Sequence, residues 1–304
     1  MKIIWVLLLA VLAAILVGAG GRLIQNETVG TTLTVCPSGC QFARIQEAID
    51  AAEEGDMIRI EDGLYQENLV VNKRVTLSGT SSEGALLRAL VEDKPVVLIK
   101  GAQGVTLAGM TISGAEIGVQ MEEVSANILD NKIIVEKFGI KLMNFEAVET
   151  IIQGNEITAN GQGVGIQLLG KSPCLINDNH LEGLATGIIV AGAVVCDIRS
   201  NRISNGWDGL LIGSIAQATI IGNQIFGNYN DGVNLSEVAI VQMSENKISE
   251  NDGWGVSFRQ QPCYETEDKF IGSVEGLSNE IVNNGRGDLC PKDYPWPQGF
   301  VKGS

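Results

Sequence analysis

The sequence predicts an all-β fold, a parallel β-helix of about ten coils with three short strands in each. Two columns of residues predict it. Asparagine recurs as Asn-x-Ile or Asn-x-Leu at Asn131, Asn155, Asn179, Asn201, Asn223, Asn246 and Asn279, in steps of 24, 24, 22, 22, 23 and 33. Beside it, a glycine followed by an aliphatic residue recurs at Gly118, Gly139, Gly165, Gly187, Gly209, Gly232 and Gly255, in steps of 21, 26, 22, 22, 23 and 23. That period is too long for a two-strand hairpin and too short for a four-stranded propeller blade. A unit so small cannot bury its own apolar face, so the copies stack into one elongated domain with a continuous core.

The N-terminus carries Lys2 and then an uncharged run from Ile3 to Val17, closed by small residues. This is the pattern of an export signal, expected over 1–19 and cut near Ala19 or Gly20, with an uncleaved anchor as the alternative and the one expected membrane contact. Residues 20–35 are expected to be a linker and 36–290 the solenoid. From Phe42 to Ala52 the apolar residues Ile45, Ala48, Ile49 and Ala52 follow helical spacing between turn signals, so a short capping helix is expected within 42–54. It would cover the terminal coil, whose backbone groups would otherwise be unpaired.

Short apolar strands follow, among them Met57 to Ile60, Val75 to Leu77 and Val105 to Leu107. Within the Asn column the next residue (Lys132, Glu156, His180, Arg202, Gln224, Lys247) is polar and the one after it aliphatic. Polar side chains then face solvent and the aliphatic ones stack inward. The Asn itself is expected to take the left-handed turn conformation and to bond its amide to the next Asn. The step of 33 predicts an insertion, placed at Arg259 to Lys269. The proline-rich tail, 291–304, cannot continue a ladder and is expected to lie along or over the last coil.

The formal net charge is −15. Repulsion on that scale argues against nucleic acid as a partner. Six cysteines in an exported chain favour disulfides, expected for Cys36 with Cys40 and Cys263 with Cys290. Cys174 and Cys196 occupy one site on adjacent coils; parallel side-chain vectors favour two stacked thiols there, a bridge being the alternative. With a single histidine, His180, zinc is disfavoured.

The segment Phe42 to Asp56, with Ile58 to Ile60, Gly63 to Asn68 and Leu77 to Gly79, resembles the cap and first coils of the pectin-lyase-like superfamily. The Asn-x-Ile and Asp-Gly-aliphatic coils resemble its parallel β-helix repeat subgroup of carbohydrate-binding and sugar-hydrolase domains. That subgroup includes a periplasmic accessory protein for copper-site maturation. The resemblance implies a single-stranded right-handed β-helix over most of residues 36–285. It implies no single reaction, because the superfamily holds lyases, hydrolases, esterases and epimerases. The Asp-Phe-Ile-Phe-Gly and Gly-Arg-Pro-Trp motifs of pectin methylesterases and the Asp-Pro-His motif of mannuronan epimerases have no counterpart here.

The side chains that depart from the repeat cluster near three of its glycines: Trp207 and Asp208, Tyr229 and Asp231, Asp252 and Trp254. Aromatic faces stack on sugar rings, and carboxylates bond hydroxyls or hold a calcium ion. Trp207, Tyr229, Trp254, Asp208 and Asp231 are therefore the expected ligand contacts. Asp208, Asp231 and Asp252 are the candidates for catalysis, and Asp208 with Asp231 for calcium. The competing reading is that Asp-Gly is simply the turn chemistry of the repeat. For β-elimination the available bases are Arg202, Lys247 and Arg259. Short matches at Arg286 to Asp288, Gly161 to Gly165 and the sequons at Asn26 and Asn234 arise readily by chance. The expectation is an exported monomer that binds carbohydrate or another cell-envelope component without catalysis. The alternatives are a polysaccharide lyase or hydrolase, and an accessory scaffold that recognises protein.

Overall fold

The structure is a computed structural model that describes residues 30–144, 148–159 and 161–301. The expected signal segment and the Asn26 sequon lie outside the described residues. Three parallel sheets of 11, 10 and 10 strands run the length of a right-handed solenoid. One coil shows the plan: Val195–Arg199 in the first sheet, Arg202–Ser204 in the second and Asp208–Ile212 in the third. Each strand pairs with its own counterparts one period away, so that Cys196 faces Ala218 and Ile203 faces Ile225. Stacking identical positions pairs the backbone of each inner strand with the coils on either side. The aliphatic column at Ile203, Ile225 and Ile248 is buried, and burying each such side chain stabilises by about 1.5–3 kcal/mol.

The Asn column lies at the bend between the first and second sheets, and it is buried throughout. The left-handed conformation belongs to the residue before each Asn, not to the Asn: φ is 53° at Asp130, 55° at Asp178, 54° at Ser200 and 59° at Glu245, with Gly154 and Gly222 at 67° and 66°. This corrects the expectation. With the bend made one residue earlier, the Asn amide turns into the corner. There the backbone N–H and Nδ2 of each Asn both donate to Oδ1 of the next, at 2.8–3.2 Å. The remaining Nδ2 proton reaches a carbonyl one coil back, as from Asn201 to Ile176 O at 2.9 Å.

The Gly column marks close approach. A Cβ on Gly209 would lie 2.3 Å from Gly232 O and 2.4 Å from Ile225 Cγ2. No other residue fits there without displacing the next coil.

Both ends are closed. The helix Ile45–Ala51 buries Ile45, Ala48 and Ile49 against the first coils. Its first N–H groups, those of Ile45 and Gln46, donate to the Glu67 carboxylate at 2.8 and 3.1 Å. The helix is shorter than expected because Phe42 pairs with Val35 in an isolated bridge. The strand Thr32–Val35 pairs with Met57–Ile60, so the solenoid begins inside the segment expected to be a linker. At the other end the tail folds over the last coil. Phe258, Phe270, Tyr294, Trp296 and Phe300 pack with ring centroids 4.1–5.3 Å apart, and Phe300 O accepts from Nδ2 of the last ladder Asn at 3.1 Å.

Cys36–Cys40 and Cys263–Cys290 are bridged as expected. Cys174 and Cys196 are bridged too, which overturns the preference for stacked thiols. Their Cα atoms are 4.6 Å apart, inside the range that a disulfide spans. The insertion follows the strand Trp254–Phe258 and ends before Ser273–Leu277, and the Cys263–Cys290 bridge ties it to the last strand of the third sheet.

Candidate functional site

The corner between the second and third sheets carries the expected aromatic residues. It is built on a second asparagine ladder that the sequence reading missed. Asn228 Nδ2 donates to Asn251 Oδ1 at 2.8 Å, Asn251 Nδ2 to Asn284 Oδ1 at 2.9 Å, and Gly206 N to Asn228 Oδ1 at 3.1 Å. These residues recur in steps of 23 and 33, in phase with the first ladder. That phase was a readable signal.

The ladder fixes the residue that follows each of its members. Trp207, Tyr229 and Asp252 therefore form one outward column, with Tyr229 N bonded to Gly206 O and Asp252 N to Asn228 O, both at 2.8 Å. Trp207 is 57% exposed and Tyr229 65%, on coils about 4.8 Å apart. Asp252 is exposed beside them. Trp254 does not join this column. It stands in register with Gly287, where a Cβ would fall 2.8 Å from its ring, and its Nε1 is buried without a partner among the described residues.

Asp208 and Asp231 occupy adjacent coils, as expected, and each uses Oδ1 to accept a backbone N–H from the coil that follows. Asp208 accepts from Asp231 N at 3.1 Å and from Asn230 Nδ2 at 2.8 Å; Asp231 accepts from Trp254 N at 2.8 Å. Neither glycine that follows them has a positive φ, so an Asp-Gly turn of the left-handed kind does not explain the pair. Their surroundings differ. Asp208 is half-buried, whereas Asp231 is 0% exposed and accepts the hydroxyls of Ser257 and Tyr264 on Oδ2. Burial pushes the Asp208 carboxyl above its ordinary range, the bonds from Asp231 N and Asn230 oppose that, and the Asp231 charge adds to the rise. Burial, with the bond to Asp231, pushes the Tyr264 phenol up, so Tyr264 remains a donor.

Tyr264 belongs to the insertion, which lies over the outer face of the third sheet. Asn234 Nδ2 donates to Tyr264 Oη at 2.8 Å and to Ser257 Oγ at 3.2 Å. Asn234, Ser257 and Tyr264 thus seal Asp231 from the surface. An open cavity of about 580 Å³ flanks this seal, lined by Tyr264, Glu265 and Arg286 among others.

Of the remaining candidates, Arg259 comes near the site: it is 3.6 Å from Asp268 and its charge pulls the Asp208 carboxyl down, against the effect of burial. Arg202 lies over the Phe226 ring at 4.3 Å and Lys247 is 3.3 Å from Glu280. His180 is exposed, 3.8 Å from Glu182. Among the described residues no group of three or more His, Cys, Asp or Glu side chains is placed to hold a metal ion.

Residues 95–193 and 138–290 match the family described as right handed beta helix region. Over 99 residues the chain is 36% identical to a cell surface glycoprotein of Methanothermus fervidus, a stretch that is 32% of this chain and 16% of that relative's length. Among solved structures, pectate lyase Pel9A superposes with a TM-score of 0.58 at 12% identity, covering 85% of this chain and 81% of its own. Alginate lyase from Paenibacillus sp. superposes with a TM-score of 0.54 at 12% identity, covering 89% and 99%. At that identity the likeness is one of fold. The two family matches together take in most of the solenoid, and the chain belongs to the right-handed β-helix family.

Proposed function

We propose that this is an exported cell-surface or envelope protein that binds carbohydrate at the corner bearing Trp207 and Tyr229, without catalysis. The observation that carries the reading is the pair of exposed aromatic side chains on adjacent coils, held by a buried asparagine ladder. Rigid rings at fixed spacing lose little entropy when sugar rings stack on them. Asp208 and Asp252 beside them supply acceptors for sugar hydroxyls. Three disulfides fit an oxidising compartment, and so does the likeness to a cell surface glycoprotein.

Incubating the mature protein with a panel of neutral and acidic polysaccharides, with and without calcium, tests this. Binding read by Trp fluorescence or retarded migration is expected for at least one polymer, weakened about tenfold or more by Trp207→Ala and by Tyr229→Ala. Absence of binding to every polymer would sink the reading. The raised pKa of Asp208 favours one second reading, that of a polysaccharide-active enzyme with Asp208 as general acid. New reducing or unsaturated ends, lost in Asp208→Ala, would establish that reading over the first.

A further inference from the structure

The corner that carries Trp207 and Tyr229 is ringed by carboxylates. Asp208 follows Trp207 in the chain, and Asp252 stands next after Tyr229 in their column, one coil on. Glu250 makes the left-handed bend of that same coil, with φ 58°, just before the ladder Asn251, and it is exposed. On the other side of Trp207, one coil back, Glu182 accepts from Asn205 Nδ2 at 2.7 Å. Four carboxylates therefore stand around two exposed aromatic side chains, over four successive coils.

Very little positive charge meets them. On the outer face of the second sheet acidic side chains are paired: Glu156 lies 3.6 Å from Lys132 and Glu280 lies 3.3 Å from Lys247. At the corner, among the described residues, no Lys, Arg or His nitrogen lies within 4.0 Å of the Asp208, Glu250 or Asp252 carboxylate, and Glu182 meets His180 at 3.8 Å. Two arginines come near without cancelling this charge. Arg259 acts on Asp208 but is itself 3.6 Å from Asp268. Arg286, one coil beyond Asp252, lines the cavity beside Tyr264 together with Glu265. The chain as a whole carries a net charge of −15, so its overall field adds to that of the corner.

We infer that the ligand of this corner is a glycan bearing protonated amino groups, a polymer of amino sugars without N-acyl caps. The inference rests on the carbohydrate reading above and names its substrate class. Each part of such a ligand meets its complement. Ammonium groups are drawn to the negative faces of the Trp207 and Tyr229 rings and donate to the carboxylates of Glu250 and Asp252, while the sugar rings stack on the aromatic ones. A neutral glycan leaves the charge of these carboxylates unmatched. A uronic acid polymer sets its own carboxylates against them, and like charges facing each other suppress the wrong partner.

Titration of the full mature chain with four hexasaccharides tests this: one of glucosamine, its N-acetylated counterpart, one of glucose and one of a uronic acid. The medium is held at about pH 6, where amino groups stay protonated. The glucosamine hexamer is expected to bind about tenfold or more tighter than the other three, read by calorimetry or Trp fluorescence. Raising NaCl from about 20 to about 500 mM is expected to remove most of that preference. Glu250→Gln combined with Asp252→Asn, both at exposed positions, is expected to bring the glucosamine hexamer down to the level of the N-acetylated one with an unchanged melting curve. Trp207→Ala is expected to weaken every hexamer that binds. Equal or tighter binding of the N-acetylated, glucose or uronate hexamer would overturn the inference and leave the carbohydrate reading in place. So would a preference for the amine that the double variant does not change. A linear polyamine that binds as tightly as the glucosamine hexamer, and that Trp207→Ala leaves unaffected, would assign the corner to charge alone and overturn it as well. Binding of none of the four hexamers would overturn it together with the carbohydrate reading.

Discussion

Replacing Asn201 with alanine tests whether the buried amide ladder holds the solenoid together or merely decorates its corner. Asn201 is 1% exposed and stands near the middle of the ladder. Its Oδ1 accepts from Asn179 N at 3.0 Å and from Asn179 Nδ2 at 2.9 Å; its Nδ2 donates to Ile176 O at 2.9 Å and to Asn223 Oδ1 at 3.0 Å. Asn179 Nδ2 keeps other acceptors after truncation, the carbonyls of Ile152 and Asn177, and Asn223 Oδ1 keeps the backbone N–H of residue 201. The Asn179 N–H and this amide's bond to Ile176 O have no such replacement. Each buried polar group left unmatched costs about 1–3 kcal/mol, so the loss is expected to be about 3–4 kcal/mol. Urea unfolding gives the number, followed both by far-UV circular dichroism and by Trp fluorescence. The described tryptophans all lie C-terminal to residue 201, and a solenoid whose coils contact only their neighbours can lose its halves separately. The control is Gln224→Ala, at an exposed position in the outward column, expected within about 0.5 kcal/mol of the wild type. A loss under about 1 kcal/mol for Asn201→Ala would mean that water replaces the amide at little cost, and the ladder argument would fail.

Two further outcomes follow from the same geometry. Gly209→Ala puts a methyl group 2.3 Å from Gly232 O and is expected to cost at least about 2 kcal/mol, visible as a lower urea midpoint; a neutral result would show that adjacent coils slide apart freely. Asp208→Asn tests the raised carboxyl pKa. The folded state binds that proton more tightly than the unfolded chain, so wild-type stability falls as pH rises through the window between the ordinary Asp value and the raised one. The Asn variant lacks this slope and keeps an acceptor for Asp231 N and Asn230. Its urea midpoint relative to the wild type is expected to be higher at about pH 7.5 than at about pH 4.5, and the opposite trend would refute the assignment.

The fold was legible because stacking in register makes every coil solve the same packing problem at the same position. Asn131 through Asn279 recur because each accepts from the one before it, and Gly118 through Gly255 recur because no Cβ fits between coils. The same logic was available for Asn228, Asn251 and Asn284. Their neighbours, Tyr229-Asn230 and Asp252-Gly253, read as loop composition and hid a third column. The left-handed position escaped for a different reason. Asp130, Gly154, Asp178, Ser200, Gly222 and Glu245 share a backbone conformation without sharing a side chain, so no column of identical residues marks it.

Asp208 and Asp231 show where periodic reasoning stops. Both precede a column glycine, both are followed by aliphatic strands, and both accept the same backbone N–H one coil on. Only the insertion separates them. It is the one segment near these coils with no counterpart one period away, and where it docks is set by Cys263 bridged to Cys290 and by Tyr264 reaching Asp231 and Asn234. A loop held by such contacts leaves no trace in the spacing of the repeat. Its effect is to convert one of two equivalent carboxylates into a buried acceptor that fixes the loop, leaving the other half-open beside Trp207. The candidate surface therefore comes down to Trp207, Tyr229, Asp208 and Asp252, and any chemistry that needs two converging acidic groups would first have to lift Tyr264 away from Asp231.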